Sequence, residues 1–318
     1  MKKKPNKPMQ EKGTHFLGID VGGTHLKIGL VDKEGEILDF QKESTAPYRE
    51  DEKGFGPKFI QSVKKYLEKY PSVTEVGIGL PGLISKDRST SLEIPAIPSL
   101  NGFKLKEGLK EAYPEHSFYL ENDAAAAAIG EFYFGKGDTP ENFLFITLGT
   151  GIGSALVLDG QVFKGSRGNA MEMGHMLSRG NARLETLVGR QGILNLMTHF
   201  IAKHPNEAGE LLHNELGSHL LVDTAKKGNK VSLMVYEEAG KILGEAIVST
   251  IRIVDVTNVY FGGGISAGLE FMMPALKETL KSNLTNYYIK DLNLQKATLE
   301  NNAGTLGAAA LCFMGSGL

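Results

Sequence analysis

The sequence predicts an α/β protein with two domains and a cleft between them. Its 318 residues are enough to bury two hydrophobic cores. A pattern of three strands followed by helices and further strands starts near residue 15 and again near residue 143. Both copies carry a glycine-threonine turn after the first strand, at residues 22–24 and 149–151. Two such turns in register indicate a duplicated fold.

The elements of the first copy follow from alternation, periodicity and turn residues. Short apolar stretches that end at glycine or proline predict strands, and apolar residues at helical spacing predict helices. The predicted elements are strands at residues 15–20, 26–32 and 36–43, a helix at 57–70, strands at 76–80 and 117–120, and an alanine-rich helix at 124–134.

The second copy repeats the three strands and then becomes mostly helical. The predicted elements are strands at residues 143–148, 153–158 and 161–164, helices at 184–199, 205–221 and 233–252, a strand at 256–261, and helices at 269–281 and 304–314. Gly, Asp, Pro and Asn cluster at residues 135–142, which places the boundary there. We therefore expect domains at residues 15–138 and 139–303, with a final helical segment at 304–318 that packs back on the first domain.

The composition excludes several classes of protein. A net charge of −2 gives no basic surface for nucleic acid. The single cysteine, Cys312, cannot form a disulfide framework or a cysteine metal site, which predicts a reducing, cytoplasmic location. No apolar run approaches the roughly 20 residues that span a bilayer. Residues 1–14 hold five lysines and predict a disordered, solvated tail, with a nucleic-acid or membrane arm as the alternative.

The two glycine-threonine turns are candidate phosphate sites. Glycine lets backbone N–H groups approach an anion, and a tight turn of such groups forms an anion-binding concavity. The spacing around Gly151 does not match a dinucleotide fingerprint, and no P-loop Gly-Lys-Ser/Thr is present. Simple hairpin turns are the alternative. Asp20 precedes the first turn, where a carboxylate can hold Mg²⁺ through water; a turn-capping role is the alternative.

Two further clusters carry candidate chemistry. Asp123, at a predicted strand-to-helix corner, is a candidate general base in phosphoryl transfer, and Asn122 would orient the attacking hydroxyl. Helix N-capping is the alternative for either residue. Glu172 and His175 have the Glu-x-x-His spacing of di-metal bundles, but the second pair that such a site needs is missing. A cluster that binds sugar hydroxyls, joined by Glu185, fits better, and a core histidine is the alternative for His175.

Taken together, these motifs closely resemble the ROK family (repressors, open reading frames and sugar kinases). The resemblance runs from about residue 16 to the last helix, and it implies two RNase H-like domains of the actin/hexokinase type. Residues 20–24 and 148–153 resemble the family's phosphate loops, and residues 262–264 its adenosine loop. The catalytic aspartate and four sugar-binding residues of the family are matched by Asp123 and by Asn122, Glu172, His175 and Glu185.

The resemblance implies a hexose kinase that uses ATP and Mg²⁺ to phosphorylate a 6-hydroxyl group, with glucose as the expected sugar. The implied residues are Asp123 for catalysis; Asn122, Asp123, Glu172, His175, Glu185 and Gly82 for the sugar; Asp20, Gly22, Gly23, Thr24, Thr150, Gly151, Gly263 and Gly264 for ATP; and Asp20 for the metal, through water. A homodimer or homotetramer is also implied. Kinases of N-acetylmannosamine or fructose, polyphosphate glucokinases and a non-catalytic sugar-binding regulator are the alternatives.

The sequence departs from the family pattern between His175 and Glu185. Family members commonly carry a Cys-x-Cys-Gly-x-x-Gly-Cys zinc site there, whereas this chain has nine residues without a cysteine. Structural zinc is therefore not expected. Pro98-Ser99-Leu100 also stands where many members have Pro-Asn-Leu. The family's repressors carry an N-terminal helix-turn-helix domain, and a phosphate strand that begins near residue 15 leaves no room for one.

Overall fold

A computed structural model describes residues 15–314 of the chain. The tail predicted at residues 1–14 and the last residues of the predicted segment 304–318 lie outside this range. Within it, the chain forms two compact units. The first comprises residues 15–137, 164–169 and 302–314, and the second comprises residues 138–163 and 170–301. Nothing in the local sequence pattern signals the return of residues 164–169 to the first unit.

The strands of the described range confirm the predicted pattern of two copies. They are β1 (His15–Val21), β2 (His25–Asp32), β3 (Ile37–Ser44), β4 (Glu75–Leu80), β5 (Leu83–Ile84), β6 (Ser91–Glu93), β7 (Ser117–Asn122), β8 (Phe143–Leu148), β9 (Ile152–Leu158), β10 (Gln161–Val162), β11 (Asn258–Gly262) and β12 (Asn293–Lys296). Across residues 15–314, the main sheets have the orders β3-β2-β1-β4-β7 and β10-β9-β8-β11-β12. In each, three antiparallel strands are followed by two parallel ones. The duplication is therefore one of topology as well as of sequence.

The helices pack with the sheets, and apolar residues from both form a core in each unit. They are α1 (Ala46–Arg49), α2 (Phe55–Lys69), α3 (Leu105–Ala112), α4 (Asp123–Phe134), α5 (Leu184–Val188), α6 (Arg190–Lys203), α7 (Pro205–Ala208), α8 (Ser218–Lys226), α9 (Lys230–Val254), α10 (Leu269–Asn283), α11 (Asn286–Ile289) and α12 (Ala303–Met314). Among residues 15–314, no helix combines the length and the apolar character needed to cross a membrane.

Two of the predicted helices are wrong as continuous elements. The helix predicted at residues 184–199 breaks at Gly189 into α5 and α6, and a Cβ on Gly189 would lie 2.5 Å from the carbonyl oxygen of Glu185. The helix predicted at residues 205–221 divides into α7, a 3₁₀ turn and α8, because Gly209 adopts a left-handed φ of 55°. In both cases the composition favours helix. The positive φ of Gly209 ends one helix, and at Gly189 the Glu185 carbonyl oxygen leaves no room for a Cβ.

In the first unit, α12 packs on the sheet at unusually short range. A Cβ on Gly77 of β4 would lie 1.7 Å from the carbonyl oxygen of Ala308, and one on Gly18 of β1 would lie 2.2 Å from that of Thr305. The alanine-rich sequence of α12 suits this approach, because small side chains on both surfaces let the helix backbone approach the strands. The first turn of α12 is thereby fixed over the end of β1, which carries Asp20.

Candidate functional site

The first glycine-threonine turn connects β1 to β2 as a tight hairpin. The N–H of Gly22 donates to the carbonyl oxygen of His25 at 2.9 Å, and a Cβ on Gly22 would lie 2.9 Å from that oxygen. Thr45 Oγ1 donates to the carbonyl oxygen of Gly23 at 2.8 Å, and the N–H of Thr45 donates to the carbonyl oxygen of Thr24 at 3.0 Å. The turn is thus a hairpin whose carbonyl groups point back to the protein, and the N–H of Gly22 is already used.

Asp20, at the end of β1, is confined by two neighbours. Its Oδ2 lies 3.4 Å from the Nζ of Lys27, the residue opposite it on β2. A Cβ on Gly304, in the first turn of α12, would lie 2.5 Å from the same oxygen. Burial raises the pKa of the Asp20 carboxyl, and the charge and hydrogen bond of Lys27 partly offset the increase. The side chain is only 17% exposed, so a partly desolvated carboxylate lies beside the first turn.

A single carboxylate, that of Asp20, suits Mg²⁺ bound through water better than a metal ion that protein side chains surround directly. Among residues 15–314, no group of three or more His, Cys, Asp or Glu side chains could hold a metal ion. Magnesium is commonly bound by one or two carboxylates, several waters and the phosphates of a nucleotide. One carboxylate next to a turn is consistent with that donor set, and Asp20 is the residue that would hold the ion.

The second turn, between β8 and β9, is held from the side of α6. The N–H of Arg190 donates to the carbonyl oxygens of Gly149 and Thr150, at 3.0 and 3.2 Å. The carboxylate of Glu185 lies against the turn, since a Cβ on Gly151 would be 2.6 Å from its Oε2. The structure therefore brings Glu185, predicted as a sugar ligand, next to a predicted phosphate turn. The sequence separation gave no indication of this contact.

The predicted adenosine loop packs on the end of β8. Gly263 has a φ of 84°, and a Cβ there would lie 2.4 Å from the carbonyl oxygen of Leu148. The strand partners Gly262 and Thr147 place this loop beside the second turn, at the carboxyl ends of β11 and β8. A Cβ on Gly264 would meet no atom within 4 Å, so the chain is open at that position. The second unit therefore brings Thr150, Gly151, Gly263 and Gly264 to one edge of its sheet.

The strand-to-helix corner between β7 and α4 fixes Asn122 and Asp123. Asn122 is the N-cap of α4: its Oδ1 accepts the N–H groups of Ala124 and Ala125, at 2.9 and 3.1 Å. Its Nδ2 donates to the carbonyl oxygen of Gly82 at 3.1 Å, and an amide nitrogen carries a second hydrogen. Asp123 is the first residue of α4, where the helix dipole favours a carboxylate. The capping alternative is confirmed for Asn122. Gly82, predicted as a sugar residue, accepts a hydrogen bond from Asn122 through its carbonyl oxygen.

A buried ion cluster behind this corner was not predicted. Glu121 is 1% exposed; its Oε1 lies 2.9 Å from Arg88 Nη2 and accepts the N–H of Asn122 at 2.9 Å. Its Oε2 lies 3.3 Å from Lys164 Nζ. Arg88 also donates to the carbonyl oxygen of Gly168 at 2.7 Å, which attaches residues 164–169 to the first unit. A glutamate inside a buried strand was the available signal, but Arg88 and Lys164 are too distant in sequence to be found from it.

The second unit holds the other predicted sugar residues. Glu172 directly precedes the 3₁₀ helix Met173–His175, and His175 Nε2 lies 3.9 Å from Glu185 Oε1. Partial desolvation raises the pKa of Glu172; the charge of His175 opposes this increase and that of Glu185 adds to it. His175 is 48% exposed, so the core-histidine alternative is wrong. The Glu-x-x-His spacing lies on a short 3₁₀ turn rather than on a bundle helix, which does not fit a di-metal site.

Known proteins resemble this chain along nearly the whole described range. The profile of the ROK family matches residues 16–314. A glucokinase from Thermotoga maritima is 28% identical over 93% of this chain and 96% of its own length. A beta-glucoside kinase from Listeria monocytogenes is also 28% identical, over 92% of this chain and 95% of its own.

A solved structure of a candidate sugar kinase from Cytophaga hutchinsonii is 39% identical. It superposes with a TM-score of 0.89 and covers 94% of this chain and 99% of its own. The profile match extends over both units, including the two glycine turns, the Asn122-Asp123 corner and the Glu172–Glu185 region. The chain therefore belongs to the ROK family.

Proposed function

We propose that the protein is a sugar kinase that transfers the γ-phosphoryl group of ATP to the 6-hydroxyl of a hexose, with glucose as the favoured acceptor. The observation that carries this proposal is the corner at Asn122 and Asp123, where a capped helix holds a carboxylate at its first residue. Membership of the ROK family and the kinases among the relatives support it. The beta-glucoside kinase from Listeria makes a β-glucoside the second acceptor to test.

The nucleotide is assigned to the glycine turns. Backbone N–H groups of residues 23–24 and 150–151 would neutralise phosphate oxygens, because those of Gly22 and Gly149 are already bonded within their turns, and the loop at Gly263 and Gly264 would take the adenosine end. Asp20 would hold Mg²⁺ through water, and the ion would reduce the negative charge that the phosphates present to an attacking hydroxyl. Lys27, 3.4 Å from Asp20, can contribute to the same charge balance.

The sugar is assigned to the polar side chains that the family resemblance implies. Asn122 would donate its second amide hydrogen to a hydroxyl, and Glu172, His175 and Glu185 would accept from or donate to the others. Asp123 would take the proton of the sugar's 6-hydroxyl group. The hydroxyl oxygen would attack the γ-phosphorus as the bond from that phosphorus to the β-phosphate oxygen breaks. Phosphoryl transfer depends mainly on positioning and electrostatics, which a capped helix end and rigid turns provide.

The test of the proposal is Asp123→Asn. This change removes the base and keeps the shape, so kcat should fall by about 10²–10⁴-fold while the KM for sugar changes little. Asp223→Asn, on the exposed side of α8, is the matched control and should retain full activity. A coupled assay should cross glucose, N-acetylmannosamine, fructose and a β-glucoside with ATP and polyphosphate. Near-normal turnover of Asp123→Asn would remove this residue as the base.

The quaternary structure proposed for the protein is a homodimer or homotetramer. Light scattering coupled to size-exclusion chromatography measures it directly, against the 34.4 kDa mass of one chain. A single species at the monomer mass would contradict this part of the proposal.

A further inference from the structure

The residues between His175 and Glu185 form a small hairpin. The N–H of Leu184 donates to the carbonyl oxygen of Met176 at 2.9 Å, and the N–H of Ser178 donates to that of Ala182 at 2.8 Å. The tip is the turn Arg179–Asn181, in which Gly180 has a φ of 63° and Asn181 a φ of 61°. His175 and Glu185 directly flank the base of this hairpin, so its position sets the position of both.

The two ends of the hairpin are held by different kinds of contact. Leu184, at the base, is completely buried in the core of the second unit. At the tip, Gly180 and Asn181 are exposed, and Leu177 is 72% exposed. Apolar burial therefore anchors the base but contributes little at the tip.

Arg179 connects the tip to α9. Its Nη1 lies 2.5 Å from Glu238 Oε1, its Nε donates to Glu245 Oε2 at 2.8 Å, and its Nη2 donates to Glu245 Oε1. The contact with Glu245 is a two-bond fork, the geometry in which a guanidinium binds a carboxylate most specifically. Glu238 and Glu245 are seven residues apart and thus lie on the same face of a helix whose other face is in the core. A rigid element thus holds the tip.

We propose that Arg179 is a positioning residue of the sugar site: by fixing the hairpin tip to Glu238 and Glu245, it holds His175 and Glu185 in the arrangement that binds the acceptor. His175 and Glu185 are 48% and 27% exposed, so side-chain packing alone does not fix them. The inference rests on the proposed function, because it concerns the sugar residues of that function. The second glycine turn is held separately by the N–H of Arg190, so the loss of Arg179 should change the KM for ATP less than the KM for sugar.

The experiment compares Arg179→Ala with Lys227→Ala. Lys227 makes a similar two-bond contact with Glu210 on the same unit but is distant in sequence from the hairpin, so its removal is the matched control. We expect Arg179→Ala to raise the KM for sugar about tenfold, with the KM for ATP and kcat within about twofold, because binding then has to order a loosened hairpin. Arg179→Lys should recover part of the loss, since lysine lacks the fork.

A double-mutant cycle with Glu245→Gln assigns the effect to the ion pair. If the pair is the cause, Arg179→Ala adds little to the KM for sugar once Glu245 has been replaced. Because the pair is partly exposed, high salt should raise the KM for sugar in the wild type more than in Arg179→Ala. A KM for sugar within twofold of wild type, or an equal rise in the KM for ATP, would overturn the proposal.

Hydrogen exchange separates this proposal from the proposed function. Amides of residues 177–185 should exchange about tenfold faster in Arg179→Ala than in the wild type or in Lys227→Ala, with or without activity. Faster exchange in a protein that phosphorylates no sugar would support the positioning role of Arg179 and contradict the proposed kinase function. Unchanged exchange in an active kinase would contradict only the positioning role of Arg179.

Discussion

The contact between Gly304 and Asp20 gives the sharpest prediction. A Cβ on Gly304 would lie 2.5 Å from Oδ2, 2.6 Å from Cγ and 3.0 Å from Oδ1 of Asp20, so the whole carboxylate must move in Gly304→Ala. Relief of this overlap requires a displacement of about 1 Å, since non-bonded carbon atoms prefer roughly 3.5–4.0 Å. Gly304 has no left-handed φ, and alanine favours a helix more than glycine does, so α12 itself should accept the change.

The expected loss is in nucleotide use and not in stability. A displacement of about 1 Å at a catalytic group can cost about 100-fold in rate, equivalent to about 2.7 kcal/mol of transition-state stabilisation. We expect kcat/KM for Mg-ATP to fall by that order in Gly304→Ala, while Tm stays within a few degrees of wild type and calorimetric sugar binding is unchanged. The assay is steady-state kinetics over a range of Mg²⁺ concentrations, together with thermal unfolding.

Two other glycines serve as controls for this prediction. A Cβ on Gly217 would meet no atom within 4 Å, so Gly217→Ala should leave activity unchanged and cost at most about 1 kcal/mol, through its position as the N-cap of α8. At Gly77 the neighbour is a backbone oxygen at 1.7 Å, which cannot rotate away, so Gly77→Ala should destabilise the first unit by about 3 kcal/mol or more. A Gly304→Ala variant with kcat/KM for Mg-ATP within twofold of wild type would refute the role assigned to Asp20.

Two more predictions follow from charges at the site. Because the pKa of Glu172 is raised, its carboxylate should be protonated at a higher pH than an ordinary glutamate, so the KM for sugar should rise as the pH falls from neutral toward 4.5, the usual pKa of a glutamate. Glu172→Gln should bind sugar more weakly at neutral pH and lose much of that dependence; an unchanged pH profile would contradict the role of Glu172. Glu121→Ala leaves Arg88 and Lys164 without their buried carboxylate and should cost about 3–5 kcal/mol in urea unfolding, and a loss below about 1 kcal/mol would show that water replaces it.

Local signals explain why much of the fold could be predicted. Strand alternation and turn glycines lie within a few residues of one another, and they identified both three-strand meanders and the long helices α2, α9 and α10. The errors also have local causes. Gly189 divides a helix through a close approach to the Glu185 carbonyl group that composition does not encode. β12 was missed because two half-buried and two exposed residues give a weak pattern.

The candidate site was predicted as a set of residues but not as an arrangement. The junction at Asn122 and Asp123 was predicted correctly because a strand-to-helix corner has its own sequence signature, and the roles of the two residues stay a prediction. The contact of Glu185 with Gly151, the ion pairs of Glu121 and the approach of Gly304 to Asp20 were not found. Each contact joins residues that are distant in sequence, and a single sequence carries no signal that two such residues meet.

The sequence by itself determined the two α/β copies, the glycine turns and the residue types that carry the proposed chemistry, because periodicity and turn chemistry act over short distances. Only the tertiary structure decided how those residues are held. It placed the first turn of α12 against Asp20, the cations Arg88 and Lys164 behind Asn122, and the fork of Arg179 on α9, at the tip of the hairpin whose base is flanked by His175 and Glu185. These contacts depend on how helices and strands pack, and packing depends on shape and charge between distant segments.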